Sequence, residues 1–235
     1  LLIEYACALA GLVLVTANPS YQDKELRYVL EQSGSVALFL VKHYRGNPMH
    51  EIALKATEGL AAVREIVDVD DHAALFRMGD RASVLPDVCP DDPAQIQYTS
   101  GTTGFPKGAV LAHRSLTNNA RFYAKRAMAT PDSTWANFMP MFHTSGCGMI
   151  SLGCLQFGCK MVLFKLFDPV AILRIIESEH ITGFLGVPTM LVALLESLNV
   201  EPVDVSSVEM VVSGGAMVAP ELVRNIQQAF DCKFE

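Results

Sequence analysis

The chain has 235 residues, 51% of them hydrophobic and 18% charged. That is enough apolar mass for one large domain or two small ones, and too much for a disordered chain. The net charge of -7 speaks against a general nucleic-acid binder.

The opening stretch, "LLIEYACALAGLVLVTAN", is apolar, but it carries Glu4, lacks a basic flank and falls short of the ~20 residues of a membrane span. It reads as a buried helix followed by a buried strand at 11–18, not as a signal or anchor. The chain starts inside this apolar run without Met and stops at "FDCKFE", where a strand is beginning. Both ends are expected to be cuts in a longer protein.

Residues 23–34 carry Leu26, Val29 and Leu30 at helical spacing, with Gly34 as the stop. A strand at 35–41, a helical pattern around 48–58 and a strand at 63–69 follow. "PDVCPDDP" at 86–93 is a loop and the expected boundary between a first α/β portion, 1–90, and a second portion, 91–235. Next come a strand at 94–99, a polar loop, a strand at 108–113, and a helix from Ser115 to about Ala127 with Ser115 as N-cap. Trp135 reads as packing.

Residues 160–164 are strand-like. Asp168 caps a helix that Pro169 opens, and 181–187 form a strand leading into a helix started by Pro188. A strand at 207–216 ends in a glycine pair, and Pro220 begins a helix with Leu222, Ile226 and Phe230 along one face. Strands alternating with helices predict an α/β fold with parallel-rich sheets, right-handed crossovers and helices on both faces.

The six cysteines, at 7, 89, 147, 154, 159 and 232, make no Cys-x-x-Cys pair. Neither a zinc site nor a redox motif is expected, and reduced thiols of a cytoplasmic protein are the reading.

The loop "YTSGTTGFPKG", residues 98–108, is the most informative stretch. Gly101 and Gly104 free the backbone for positive φ and for close approach to a ligand. Thr99, Ser100, Thr102 and Thr103 add hydroxyl donors, Lys107 adds a charge, and consecutive N–H groups in such turns form an anion cradle. Donors without carboxylates suit a polyphosphate; a polar hairpin turn is the plainer alternative. Pro106 before the lysine and Gly108 after it break the P-loop pattern, and no Gly-x-Gly-x-x-Gly follows a strand.

This loop resembles the phosphate-binding signature of the AMP-forming adenylating enzymes: acyl-CoA synthetases, luciferases and peptide-synthetase adenylation domains. "AGLVLVTANPSYQDKELRYVLEQSG", "MPMFHTSG", "GVPTMLVALLE" and "VVSGGAMVAPEL" agree with it in order and spacing, so the resemblance covers essentially the whole chain. It is strongest to fatty-acyl-CoA synthetases.

The resemblance implies a two-step reaction. A carboxylate attacks the α-phosphate of Mg·ATP, and the acyl-adenylate then passes its acyl group to a thiol, usually that of coenzyme A. Thr99, Ser100, Gly101, Thr102, Thr103, Gly104 and Lys107 would hold the terminal phosphates. Gly214, Gly215 and Ala216 match the segment lying against the adenine and the acyl pocket. His143 matches a position beside the carboxylate pocket; a histidine satisfied at a strand end is the alternative. Met139, Met141, Met149 and Phe142 either line an acyl tunnel or belong to the core. "KHYRGNP" at 42–48 is a solvated loop or a basic contact for a nucleotide or an anionic lipid face.

The family's Mg-binding glutamate, ribose-binding aspartate and C-terminal lysine domain find no counterpart in these residues. No catalytic residue is therefore assigned, and the fragment is expected to be inactive alone. The expected partners are ATP with Mg2+, coenzyme A and a small carboxylate. No nucleic acid and no integral membrane segment are expected; peripheral membrane association and a homo-oligomer are compatible with the sequence. The competing readings are a non-catalytic nucleotide- or acyl-binding module and an aryl-acid or amino-acid adenylating enzyme.

Overall fold

The computed structural model describes residues 1–77, 84–99 and 106–235. Of the loop residues singled out above, Ser100, Gly101, Thr102, Thr103 and Gly104 lie outside this description. The chain is α/β and divides into two compact units, Leu2–His113 and Arg114–Glu235. The Pro/Asp loop at 86–93 falls inside the first.

The first unit runs α1 (Leu2–Leu9), β1 (Leu14–Thr16), α2 (Asp23–Ser33), β2 (Ala37–Leu40), α3 (Met49–Thr57), β3 (Glu65–Asp68), α4 (His72–Arg77), β4 (Pro93–Thr99) and β5 (Lys107–Ala112). β2 and β3 pair in parallel, as a strand–helix–strand unit must. Leu26 and Leu30 of α2 close a core with Leu40, Ile52, Ala53 and Ala56. Gly34 ends α2 at φ 65°, where only glycine escapes the left-handed penalty.

β1 lies parallel to β4, but β4 and β5 are antiparallel. Alternation with helices predicts parallel pairing only where a helix intervenes, and among the described residues none does between these two strands. The cause is the connection: seven residues between Thr99 and Lys107 leave no room for the crossover that parallel strands need.

α1 corrects an expectation. The helix forms, yet Leu2 and Leu9 are 72% and 60% exposed, and the residue it buries is Glu4, at 7%. β1 is likewise only half-buried at Leu14 and Val15. A continuous apolar run carries no periodicity to say which side faces inward. Here the polar network decides: Gln95 Nε2 donates to Glu4 Oε1 at 2.9 Å, and Gln97 Nε2 donates to Gln95 Oε1 at 2.9 Å.

Burial pushes the Glu4 carboxyl above its ordinary 4.5, against the weaker pull of the Gln95 hydrogen bond. A raised carboxyl favours the folded state below about 4.5 and withdraws that support as pH climbs through the folded value. Glu4→Gln should therefore flatten the fall in melting temperature between pH 4 and 8. A mutant profile parallel to wild type would show that Glu4 titrates normally.

The second unit runs α5 (His113–Arg126), β6 (Thr134–Asn137), a π-helical segment (Ser145–Leu152), α6 (Gly153–Phe157), β7 (Lys160–Leu163), α7 (Pro169–Glu179), β8 (Gly183–Gly186), α8 (Pro188–Val200), β9 (Met210–Ser213), α9 (Pro220–Phe230) and β10 (Lys233–Phe234). α5 starts at His113, so Ser115 is inside it and is not its N-cap. β5 passes straight into the helix, with no linker residue left to act as cap. Asp168 does cap α7, accepting the Ala171 N–H at 3.1 Å.

The five strands are all parallel, in the order β10-β9-β8-β6-β7. Side chains alternate between the faces of a strand. Trp135 of β6 meets Tyr123 of α5 edge-on at 5.6 Å and approaches Gly153 of α6. Phe184 of β8, on the opposite face, meets Phe230 of α9 at 5.7 Å. Helices thus cover both faces. A side chain at Gly183 would press on the Trp135 ring, 3.0 Å from Nε1, which fixes Trp135 as packing.

Candidate functional site

The described part of the phosphate loop is its base, in the first unit. Thr99 ends β4, Lys107 opens β5, and the two are direct ladder partners. Behind them Tyr98 faces Gly108 across the hairpin. A Cβ on Gly108 would lie 3.0 Å from Ile96 Cγ2 and 3.1 Å from Tyr98 Cζ, so glycine lets the ring lie flat over the partner strand. Tyr98 Oη reaches the Val29 carbonyl of α2 at 3.4 Å. The backbone of Lys107 is therefore pinned while its side chain is exposed, and among the described residues no carboxylate pairs with its ammonium.

The other predicted contacts lie in the second unit, at the carboxyl ends of its strands. From β6 the chain goes to β7 on one side and to β8 on the other. The switch point between β6 and β8 is the crevice where such sheets bind ligands. His143 follows β6, and Gly214, Gly215 and Ala216 follow β9, next to β8.

Gly215 has φ +83°, and a Cβ there would meet Val187 Cγ1 at 3.5 Å; a Cβ on Gly214 would meet nothing within 4 Å. Ser213 Oγ donates to the Gly186 carbonyl at 2.9 Å, tying the ends of β9 and β8 together. The result is an open, exposed backbone shelf that continues to Met217, which is 97% exposed.

The His143 turn is built on Asn137, which is fully buried at the end of β6. Its Nδ2 donates to the Gly146 carbonyl at 3.1 Å and to Ser151 Oγ at 3.2 Å. Its Oδ1 accepts the Met139 N–H at 3.2 Å. Ser151 Oγ also donates to the Gly146 carbonyl, at 2.7 Å. Gly146 presses on the same turn: a Cβ there would sit 2.5 Å from the Pro140 carbonyl oxygen.

The His143 N–H donates to the Pro140 carbonyl at 3.1 Å, and its own carbonyl accepts from Gly146 and Cys147. The imidazole is exposed, with Nδ1 3.2 Å from the Ser145 amide nitrogen and 3.0 Å from Ser145 Oγ. Met139 belongs to the core, while Met141, Phe142 and Met149 are half-buried.

Sequence reasoning found His143 but missed Asn137, Ser145, Gly146 and Ser151. Small polar residues in "TSGCGMISL" read as a turn, and the only hint was an asparagine at the end of an otherwise apolar strand. Lys42 of the basic "KHYRGNP" stretch pairs with Asp68 at 3.3 Å, and Tyr44 and Asn47 close a tight turn.

Among the described residues, no group of three or more His, Cys, Asp or Glu side chains could hold a metal ion. Among the described residues, no helix is long and apolar enough to cross a membrane.

Known proteins resemble the chain in sequence and in fold. The medium-chain acyl-CoA ligase ACSF2, mitochondrial, of Macaca fascicularis is 30% identical over 99% of this chain and 43% of its own length. The N-terminal domain of FACL13 from Mycobacterium tuberculosis superposes with TM-score 0.84 at 22% identity, over 99% of this chain and 57% of that one. O-succinylbenzoate coenzyme A synthetase (MenE) from Bacillus subtilis, solved in complex with AMP, superposes with TM-score 0.78 at 26% identity, over 96% of this chain and 54% of that one. The chain spans under half the length of the curated relatives it matches. The profile described as AMP-binding enzyme matches residues 1–235 without remainder, and the chain belongs to that family.

Proposed function

We propose that the intact protein activates a carboxylic acid, specifically a fatty acid, with ATP and passes it to coenzyme A, releasing AMP and pyrophosphate. Membership of the AMP-binding family and relatives named as acyl-CoA ligases support this class of reaction. The observation that carries it is the hydroxyl- and glycine-lined loop closed by Lys107, hung on a hairpin whose base is fixed by Tyr98 against Gly108.

In the first half-reaction one anion attacks another, so offsetting charge and holding the reactants account for much of the barrier lowering. Thr99, Ser100, Gly101, Thr102, Thr103, Gly104 and Lys107 hold the β- and γ-phosphates and stabilise the departing pyrophosphate. Gly214, Gly215 and Ala216 offer a bare backbone on which a flat base or an acyl chain can lie. His143 donates a hydrogen bond to the acyl carboxylate. Residues 91–235 supply these contacts, and 1–90 form the first α/β portion. Mg2+, arriving with ATP, supplies further charge neutralisation at the phosphates.

A panel of fatty, aryl and amino acids in ATP–pyrophosphate exchange by the intact protein tests this reading. Exchange driven best by fatty acids, with coenzyme A then consumed, is the expected result. Best turnover with aryl or amino acids would displace the fatty-acid assignment, and ATP binding without exchange for any acid would leave a binding module. The 235 residues alone are expected to show no exchange; a rate near that of the intact protein would refute their incompleteness.

A further inference from the structure

We infer that Ser145 is a positioning residue that holds the neutral His143 ring as its Nε2–H tautomer, so that the turn presents a fixed N–H donor to a carboxylate oxygen. This rests on the reading of His143 as the carboxylate contact and adds how the contact is set.

A backbone N–H can only donate. With the Ser145 amide at 3.2 Å from Nδ1, that nitrogen must offer its lone pair and carry no proton. The Ser145 hydroxyl is 3.0 Å from the same nitrogen, and Ser145 is only 6% exposed. A lone pair can receive the hydroxyl proton but cannot donate to it, so the hydroxyl also points its hydrogen at Nδ1. Two donors converge on one nitrogen, and the ring proton is left on Nε2. Among the described residues nothing partners Nε2, and the ring is exposed.

The support extends inward. The His143 carbonyl accepts the Gly146 and Cys147 N–H groups that begin the π-helical segment. Asn137 and Ser151 hold the Gly146 carbonyl from inside the unit. A π-helical turn is an uncommon solution that concentrates at functional sites; here it sets the Ser145 amide two residues after the ring it holds. An N–H aimed outward suits a carboxylate oxygen and offers nothing to an amine or an alkyl end. The device therefore selects for the acid group and not for what is attached to it.

Two measurements on the intact protein test this. The first is two-bond 1H–15N correlation on histidine-labelled material, above the pH where the ring titrates. It should show His143 with Nδ1 bare and Nε2 protonated, and the Nε2 resonance should move when a fatty acid saturates the site. An Nδ1–H ring would overturn the inference. A bare Nδ1 with an Nε2 resonance that ignores the acid would overturn its functional half, while leaving carboxylate activation by ATP standing on the exchange data.

The second measurement is kinetic. Ser145→Ala should raise KM for the carboxylate about 3- to 10-fold, the worth of one hydrogen bond, with KM for ATP unchanged and Ser145→Thr restoring it. His143→Gln, which can donate from the Nε2 position, should retain more carboxylate affinity than His143→Asn, which can replace only Nδ1. An unchanged carboxylate KM in Ser145→Ala would overturn the part given to the hydroxyl, and equal rises in both KM values would show that the serine only supports the fold.

Discussion

Lys107→Ala in the intact protein should lower ATP–pyrophosphate exchange by about 10- to 100-fold, with little loss of thermal stability. The side chain is exposed, and among the described residues no carboxylate depends on it, so truncation disturbs no packing. The backbone stays held, because Lys107 pairs with Thr99 through the ladder and Tyr98 still closes over Gly108. What is lost is one charge-assisted hydrogen bond to a phosphate oxygen, worth about 1.5–3 kcal/mol, and each 1.4 kcal/mol is about tenfold in rate. Lys107→Arg should recover part of the rate, since it keeps the charge but replaces a compact ammonium with a broader planar fork. An exchange rate in Lys107→Ala equal to wild type would remove the lysine from the phosphate site. A large drop in melting temperature would instead make it a structural residue.

Gly146→Ala should damage both stability and the carboxylate step. The added methyl would sit 2.5 Å from the Pro140 carbonyl oxygen and 2.8 Å from that of Met139. Both are backbone atoms of the very turn that carries His143, so no side-chain rotation relieves the contact. Overpacking of this kind costs about 1–3 kcal/mol, and relief requires the turn to move away from Asn137 and Ser151. A lowered melting temperature is expected in thermal denaturation, together with a fall in kcat/KM for the carboxylate that exceeds any change in KM for ATP. Wild-type stability and kinetics would mean that the turn is looser than its hydrogen bonds imply.

The legible parts of the fold are those written in local chemistry. Gly34 at a left-handed stop, Asp168 and Pro169 at a helix start, and Ile226 and Phe230 buried along one face of α9 all follow from residues within a few positions of one another. β6 was legible only as an unbounded strand end before His143, because "TWAN" is short and ends in an asparagine. That asparagine is an acceptable core residue only once Gly146 and Ser151, distant in sequence, satisfy its amide. The exposed leucines of α1 were misread because hydropathy has no direction without periodicity, and a buried Glu4 needs partners ninety-odd positions away in β4. The antiparallel pairing of β4 and β5 follows from the short segment between them, which the turn composition of the loop already offered as a hairpin.

The candidate site divides the same way. Its chemistry, meaning hydroxyls, glycines and a lysine in one loop and a histidine after a strand, is a matter of residue type and shows in the sequence. The scaffold that aims the histidine does not, since Ser145, Gly146 and Ser151 look like turn residues until the contacts of Asn137 are known. The tautomer of His143 is further removed, because it follows from one amide N–H direction that no pattern of residue types encodes.

The grip of the 99–107 loop on nucleotide is most directly examined in a crystal of the intact protein grown with ATP and a non-reactive acid analogue. The account predicts terminal phosphate oxygens within hydrogen-bonding distance of the Thr99, Ser100, Thr102 and Thr103 hydroxyls and the Lys107 ammonium. Triphosphate density at another place, with these side chains facing solvent, would contradict it.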